Sequence, residues 1–204
     1  MKLSKIEKKI VTDIWILKTK ETCEALSKMI RKDVKISSVS VRRIWVNQVP
    51  RLLNPKEVSF TLISTKIFGR INAVILLACS LKDILKLVEL LLHKEIGYYK
   101  ALDEENLPVI LELTNVLQGY YISYLVKLFG AEISWNSPSL YTNAYRAIEE
   151  FEFGPIYIEK IYVHMLNANF EVKSEKISFK ILLLFKDSEI KKVLEAIEEK
   201  IKVE

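Results

Sequence analysis

Glu112, Asn115, Gly119 and Ser123 are separated by three, four and four positions, which sets them in one row along a helix. The row offers a carboxylate, an amide one turn on, and then a residue without a side chain that lets a foreign surface come close to the amide. Glycine inside a helix costs about 0.5–1 kcal/mol relative to alanine, so Gly119 asks for a reason. By residue type alone, a glutamate and an asparagine so spaced are also ordinary on a solvated helix face. Other chemistries are poorly served. His93 and His164 are isolated in sequence from each other and from any Asp, Glu or Cys cluster at ligand spacing, so neither a zinc site nor a Cys/His nucleophile pair is written. Cys23 and Cys79 lie in apolar patterns without CxxC spacing and read as buried, reduced thiols. There is no GxGxxG and no GxxxxGK[ST], and the five glycines are scattered, so a phosphate-cradling loop has nothing to be built from.

The row must be carried by a helix over 107–129. Pro108 fits a first turn, where its missing N–H would be unpaired anyway, and Gly130 marks the end. Leu113, Val116, Leu117, Tyr120, Tyr121, Tyr124, Leu125 and Leu128 form a wide apolar stripe for the opposite side. Laying the sequence on itself at an offset of 106 pairs 71–96 with 177–202 with eight identities, among them Ile75/Ile181, Leu76/Leu182 and Leu77/Leu183. An offset of 99 pairs 13–41 with 112–140. We read a tandem duplication, a single domain of two repeats at about 1–99 and 100–204.

Periodicity predicts the same plan in each copy. The first has a helix near 4–31, strands near 34–45, 57–67 and 70–79, and a helix near 81–93. The second has a helix near 107–129, strands near 131–137, 156–172 and 176–185, and a helix near 187–201, with a short helix at 142–150 before a Gly154-Pro155 turn. Hairpin turns are expected at Phe68-Gly69 and at 173–175. The fold class is α+β: a pseudo-two-fold tandem repeat of helix–strand–hairpin–helix units forming a mostly antiparallel sheet with long helices packed on it.

Composition bounds the remaining classes. The chain has 204 residues, 50% of them hydrophobic, with five Gly and five Pro, which suffices for a core and excludes disorder and collagen. Apolar runs such as 73–79 fall far short of the roughly 20 residues that cross a bilayer, and the first ten residues carry no secretory pattern. No membrane span and a cytoplasmic location are expected. Residues 1–99 hold 19 Lys/Arg against 9 Asp/Glu, while 100–204 hold 12 against 17. The basic half is spread over several elements without an organising motif, so nucleic acid is not expected as a partner.

Glu112-Leu113-Thr114-Asn115, followed after 22 residues by Pro138 in a Ser137-Pro138 pair, resembles the CheC/CheX/FliY family of chemotaxis phosphatases, whose signature is similar to [DS]-x3-E-x2-N followed some 22 residues later by P. The likeness covers nearly the whole chain, because the duplicated plan is also the family's, and in two-copy length it is closest to CheC. Pro108 stands where the pattern has Asp or Ser. In the first copy Asp13, Ile16 and Val39 stand at the Glu, Asn and Pro positions and Lys20 fills the gap, so only the second site is intact.

The resemblance implies hydrolysis of the aspartyl phosphate of the response regulator CheY. Asn115 would position the attacking water and Glu112 would dock the regulator, with Gly119 permitting approach and Pro138 stiffening the strand end. It implies no cofactor of the chain's own, Mg2+ being supplied by the phosphorylated regulator, and CheD, a receptor deamidase, as a second candidate partner. The rival reading is a non-catalytic binding module in chemotaxis or motor-switch signalling.

Overall fold

A computed structural model describes residues 2–53, 60–141 and 161–203. The expected helix at 142–150, the Gly154-Pro155 turn and the first residues of the strand expected at 156–172 lie outside the described residues. Helix α1 spans Lys5–Ile30. It opens on a reciprocal cap: the Glu7 N–H donates to Ser4 Oγ at 3.2 Å and the Ser4 N–H to Glu7 Oε2 at 2.6 Å. It closes on Arg31 in the left-handed region, φ 52°. Its buried face runs through Val11, Trp15, Thr19, Cys23, Leu26 and Ile30, the i, i+4, i+7 rhythm of a helix laid on a core.

Strands β1 (Lys35–Trp45), β2 (Phe60–Gly69) and β3 (Ala73–Ser80) follow, with a five-residue helix α2 (Val49–Leu53) between the first two, and α3 (Leu81–Leu91) after β3. Then come α4 (Leu107–Phe129), the short strands β4 (Ile133–Trp135) and β5 (Ser139–Tyr141), the long strands β6 (Tyr162–Val172) and β7 (Ile177–Lys186), and α5 (Asp187–Val203). The sheet runs β1-β6-β7-β3-β2-β4, with β5 also on β2, and every pairing is antiparallel.

At the sheet's centre β3 pairs with β7, and Leu76 stands opposite Leu182. These two residues are mates at the sequence offset of 106. Mates that face each other across an antiparallel pair are what a local two-fold axis produces, and from that point the flanking positions diverge symmetrically. The expected α+β class with its pseudo-two-fold, mostly antiparallel sheet is the observed one.

The helices cover one face of this sheet. Ile63, Ile67, Ile75 and Leu77 on β2 and β3 pack with Leu26 of α1, Ile84 of α3, Leu113 and Leu117 of α4, and Ile190 and Val193 of α5. Trp15 of α1 and Tyr121 of α4 meet at 4.2 Å between ring centroids. The opposite face is also closed, because Val46 together with Val49 and Leu53 of α2 packs on Leu62, Val74, Leu76, Val163, Leu182 and Leu184. Two buried faces explain why β3 and β7 read as near-continuous apolar runs without alternation. The Cys23 and Cys79 thiols are free and buried, and burial pushes both pKa values up, Cys79 well up. Among the described residues no helix is long and apolar enough to cross a membrane.

Candidate functional site

Helix α4 starts at Leu107, so Pro108 lies in the first turn and Glu112 already in the second. The turn before it is locked. Asp103 Oδ1 accepts the N–H of Glu105 and of Asn106, each at 3.0 Å, while the fully buried Asn106 donates from Nδ2 to the Ala101 carbonyl at 2.9 Å. Pro108 is exposed and leaves the helix its full length. The inner face seats α4 at several points. Leu113, Leu117 and Leu125 are buried, Tyr121 Oη donates to Thr19 Oγ1 of α1 at 3.3 Å, and Gln118 Nε2 reaches the carbonyls of Ile63 and Ile75 at 3.4 and 3.3 Å. The periodic stripe did not single out Gln118, whose Oε1 is buried without a hydrogen-bond partner among the described residues. Its place between Thr114 and Tyr121, both buried, was the available signal.

The outer row carries Glu112, Asn115 and Ser123, all exposed, with Gly119 half-buried between them. Among the described residues neither the Glu112 carboxylate nor the Asn115 amide has a partner. Among the described residues a Cβ built on Gly119 would meet no atom within 4 Å, so nothing in their packing requires a glycine there. A carboxylate and a carboxamide therefore project from a helix held rigidly from behind, beside an open gap. In the first half Asp13, Lys20 and Glu24 are exposed and Ile16 is half-buried.

Pro138 lies between β4 and β5. Asn136 ties this segment to β2, its Oδ1 accepting the Lys66 N–H at 2.6 Å and its own N–H donating to the Lys66 carbonyl at 3.1 Å. In β5, Leu140 pairs with Ile63, the residue whose carbonyl Gln118 touches. The β5 edge and the middle of α4 thus meet the same level of β2, with half-buried Pro138 two residues before that point.

A second polar cluster was not legible in the sequence, where His164 reads as isolated. Asp187, the first residue of α5, takes a two-pronged bond from Arg43 of β1, with Nε 3.0 Å from Oδ1 and Nη2 2.6 Å from Oδ2. The buried His164 of β6 brings Nε2 to 3.0 Å from Oδ1, and the Arg43 guanidinium lies 3.6 Å from the centroid of the Tyr162 ring. Burial acts to raise the Asp187 pKa, but the Arg43 bonds and charge, together with further positive charge nearby, outweigh it and hold the carboxyl at about 2 against its usual 3.8. A depressed carboxyl stabilises the fold fully above its unfolded value and loses that contribution as pH falls through the folded one. Between about pH 4 and pH 2 the protein should therefore lose on the order of 1 kcal/mol through this group, discounted for its partial exposure. Urea midpoints across that window should fall less steeply for Asp187→Asn than for the unaltered protein.

No family model matches the sequence. Solved structures do match the fold. FliY from Thermotoga maritima overlays at a TM-score of 0.71 with 18% identity, covering 98% of this chain and 100% of that one. The FliM middle domain from H. pylori gives 0.68 and 11% over 95% and 99%, and H. pylori FliM is also solved in a complex with FliG. A CheC-like superfamily protein from Shewanella sp. PV-4 gives 0.54 and 14% over 84% and 97%. By overlay and span the chain is more similar to that FliY than to that CheC-like protein, so two-copy length alone did not single out CheC. At these identities the likeness is one of architecture: the chain has the fold shared by FliY, the FliM middle domain and CheC-like chemotaxis proteins.

Proposed function

We propose that the protein works in chemotaxis or flagellar-switch signalling as a phosphatase for the aspartyl phosphate of a CheY-type response regulator, through the second-half site. The observation that carries this reading is the pair of Glu112 and Asn115, without partners among the described residues, on a helix anchored from behind and beside the gap at Gly119. An acyl phosphate is a mixed anhydride and is already activated. Its hydrolysis needs a water in line with the P–O bond to the aspartyl oxygen, with charge stabilisation from the regulator's own Mg2+ and basic groups. The water oxygen bonds to phosphorus, the aspartate leaves as carboxylate, and inorganic phosphate is released.

An amide accepts and donates hydrogen bonds at once, so Asn115 inserted into the regulator's pocket orients the water without needing a shifted pKa. Glu112, one turn earlier, pairs with a cation of the regulator and sets the docking register. Gly119 lets the regulator's surface reach the amide, and Pro138 stiffens the strand end beside the helix. The test is phosphate release from phosphorylated regulator on adding the protein: accelerated loss supports the reading, and unchanged decay overturns it. In the same assay Glu112→Lys should raise the regulator concentration for half-maximal rate on the order of tenfold, leaving the saturated rate little changed.

The second reading is a binding component of the motor switch, for which the FliM-like fold is the favouring observation. On that reading the regulator's phosphate decays at its intrinsic rate while the protein co-purifies with switch components.

A further inference from the structure

An open groove of about 470 Å³ lies between the first half of α3 and residues 96–100, and no residue of the Glu112–Ser123 row lines it. Leu81, Leu85 and Ile96 give it apolar walls, and Lys82, Lys86 and Lys100 stand along it. Ile96 is 44% exposed, and the neighbouring Tyr98 57%, an unusual density of large apolar surface for so short a segment. A buried carboxylate of α3 itself ties the segment in place beside the helix. Glu89, 1% exposed, accepts the N–H of Gly97 at 2.9 Å through one oxygen and that of Tyr99 at 2.8 Å through the other. Tyr99 Oη is tied in turn to Glu105 at 2.8 Å. The groove is thus preformed, and a ligand need not spend its binding on ordering the wall.

Two rows run along α3 at a spacing of four, Leu81 with Leu85 and Lys82 with Lys86. An occupant lying along the helix therefore meets an apolar lane edged by positive charge. Among the described residues Glu89 is the one carboxylate in the lining, and both of its oxygens are engaged by backbone N–H groups. From this pattern we infer that the groove docks an acidic amphipathic segment of a partner protein, with apolar side chains between α3 and residues 96–100 and glutamates or aspartates facing Lys82, Lys86 and Lys100. A free phosphate or nucleotide suits it less, since the walls are apolar and the ammonium groups are strung along α3 and the loop.

The probe is a synthetic helical peptide with leucine at i, i+3, i+4 and i+7 and glutamate between, labelled with a fluorophore and titrated with the full chain. Saturable binding is expected, weakening as salt shortens the screening length. It should fall at least about tenfold with Ile96→Asp and with the pair Lys82→Glu and Lys100→Glu, since each change removes one of the two features that define the lane. All three substituted positions hold solvent-facing side chains, and melting curves should match the unaltered protein. Amide resonances of Ile96, Gly97 and Lys100 should shift on binding, a readout independent of the variants. Absence of saturable binding, equal affinity for the same peptide with lysine in place of glutamate, equal affinity for polyglutamate, or no response to Ile96→Asp would each overturn the inference. Phosphatase activity through Asn115 is a separate matter, so either proposal can fail alone.

Discussion

Asn115→Ala is expected to leave regulator binding within a few-fold of the unaltered protein while lowering the saturated rate of phosphate release at least about a hundredfold. The split follows from where the residue stands. Its amide is exposed and unpartnered among the described residues, so truncation removes no hydrogen bond that holds α4. The helix keeps Leu113, Leu117, Gln118 and Tyr121 as its seat, and the alanine is the better helix former. What disappears is the group that orients one water in the transition state, an interaction the ground-state complex does not need. Stopped-flow or radiolabel decay at saturating protein reads the rate, and fluorescence titration with a non-hydrolysable phosphoryl mimic on the regulator reads binding. A normal rate in this variant would remove Asn115 from the mechanism. Loss of binding in parallel with rate would make it a docking residue instead.

The largest loss of stability is expected at Phe170→Ala. Phe170 is fully buried on β6, paired in register with Phe179 of β7 on one side and Ile36 of β1 on the other. Its ring lies parallel to that of Phe179, 2° between planes and 4.8 Å between centroids. Truncation deletes the transfer free energy of the ring and leaves a cavity bounded by a sheet that cannot collapse without breaking register. About 3–5 kcal/mol is expected, against a total stability of about 5–15 kcal/mol for a domain of this kind. Urea unfolding should show the midpoint falling with the slope nearly unchanged. The folded fraction should keep its behaviour towards the regulator, because β6 and β1 lie three or more strands away from β2, on which the β5 edge beside α4 is built.

The elements nearest the site were legible because their signals are local. The 107–129 helix appears with its expected bounds, since proline in a first turn and glycine after a last one act through backbone chemistry alone. The outward row of Glu112, Asn115 and Ser123 followed from spacing, because helical geometry sets which residues share a face whatever the face meets. The short pieces escaped. Residues 49–53 contain Pro50 and are too few to display a period, so periodicity predicts no α2, and the three residues of β5 are likewise too few to be read as a strand. The strand expected at 131–137 contracts to Ile133–Trp135, and the hairpin turn expected at Phe68-Gly69 falls one to three residues later, as β2 runs through Gly69 before β3 begins at Ala73.

By itself the amino-acid sequence determined the period of each long element, the repeat that relates 71–96 to 177–202, and the candidate row on one helix face. Tertiary structure alone decided what each face meets. It closed the second side of the sheet with α2, sank Gln118 against the carbonyls of Ile63 and Ile75, and joined Arg43 and His164 to Asp187 from β1, β6 and α5. It also left Glu112 and Asn115 in the open. The reason is physical. Periodicity is written between neighbours three or four positions apart, whereas strand order and register arise from burying all the apolar faces at once, and that balance is a property of the assembled chain.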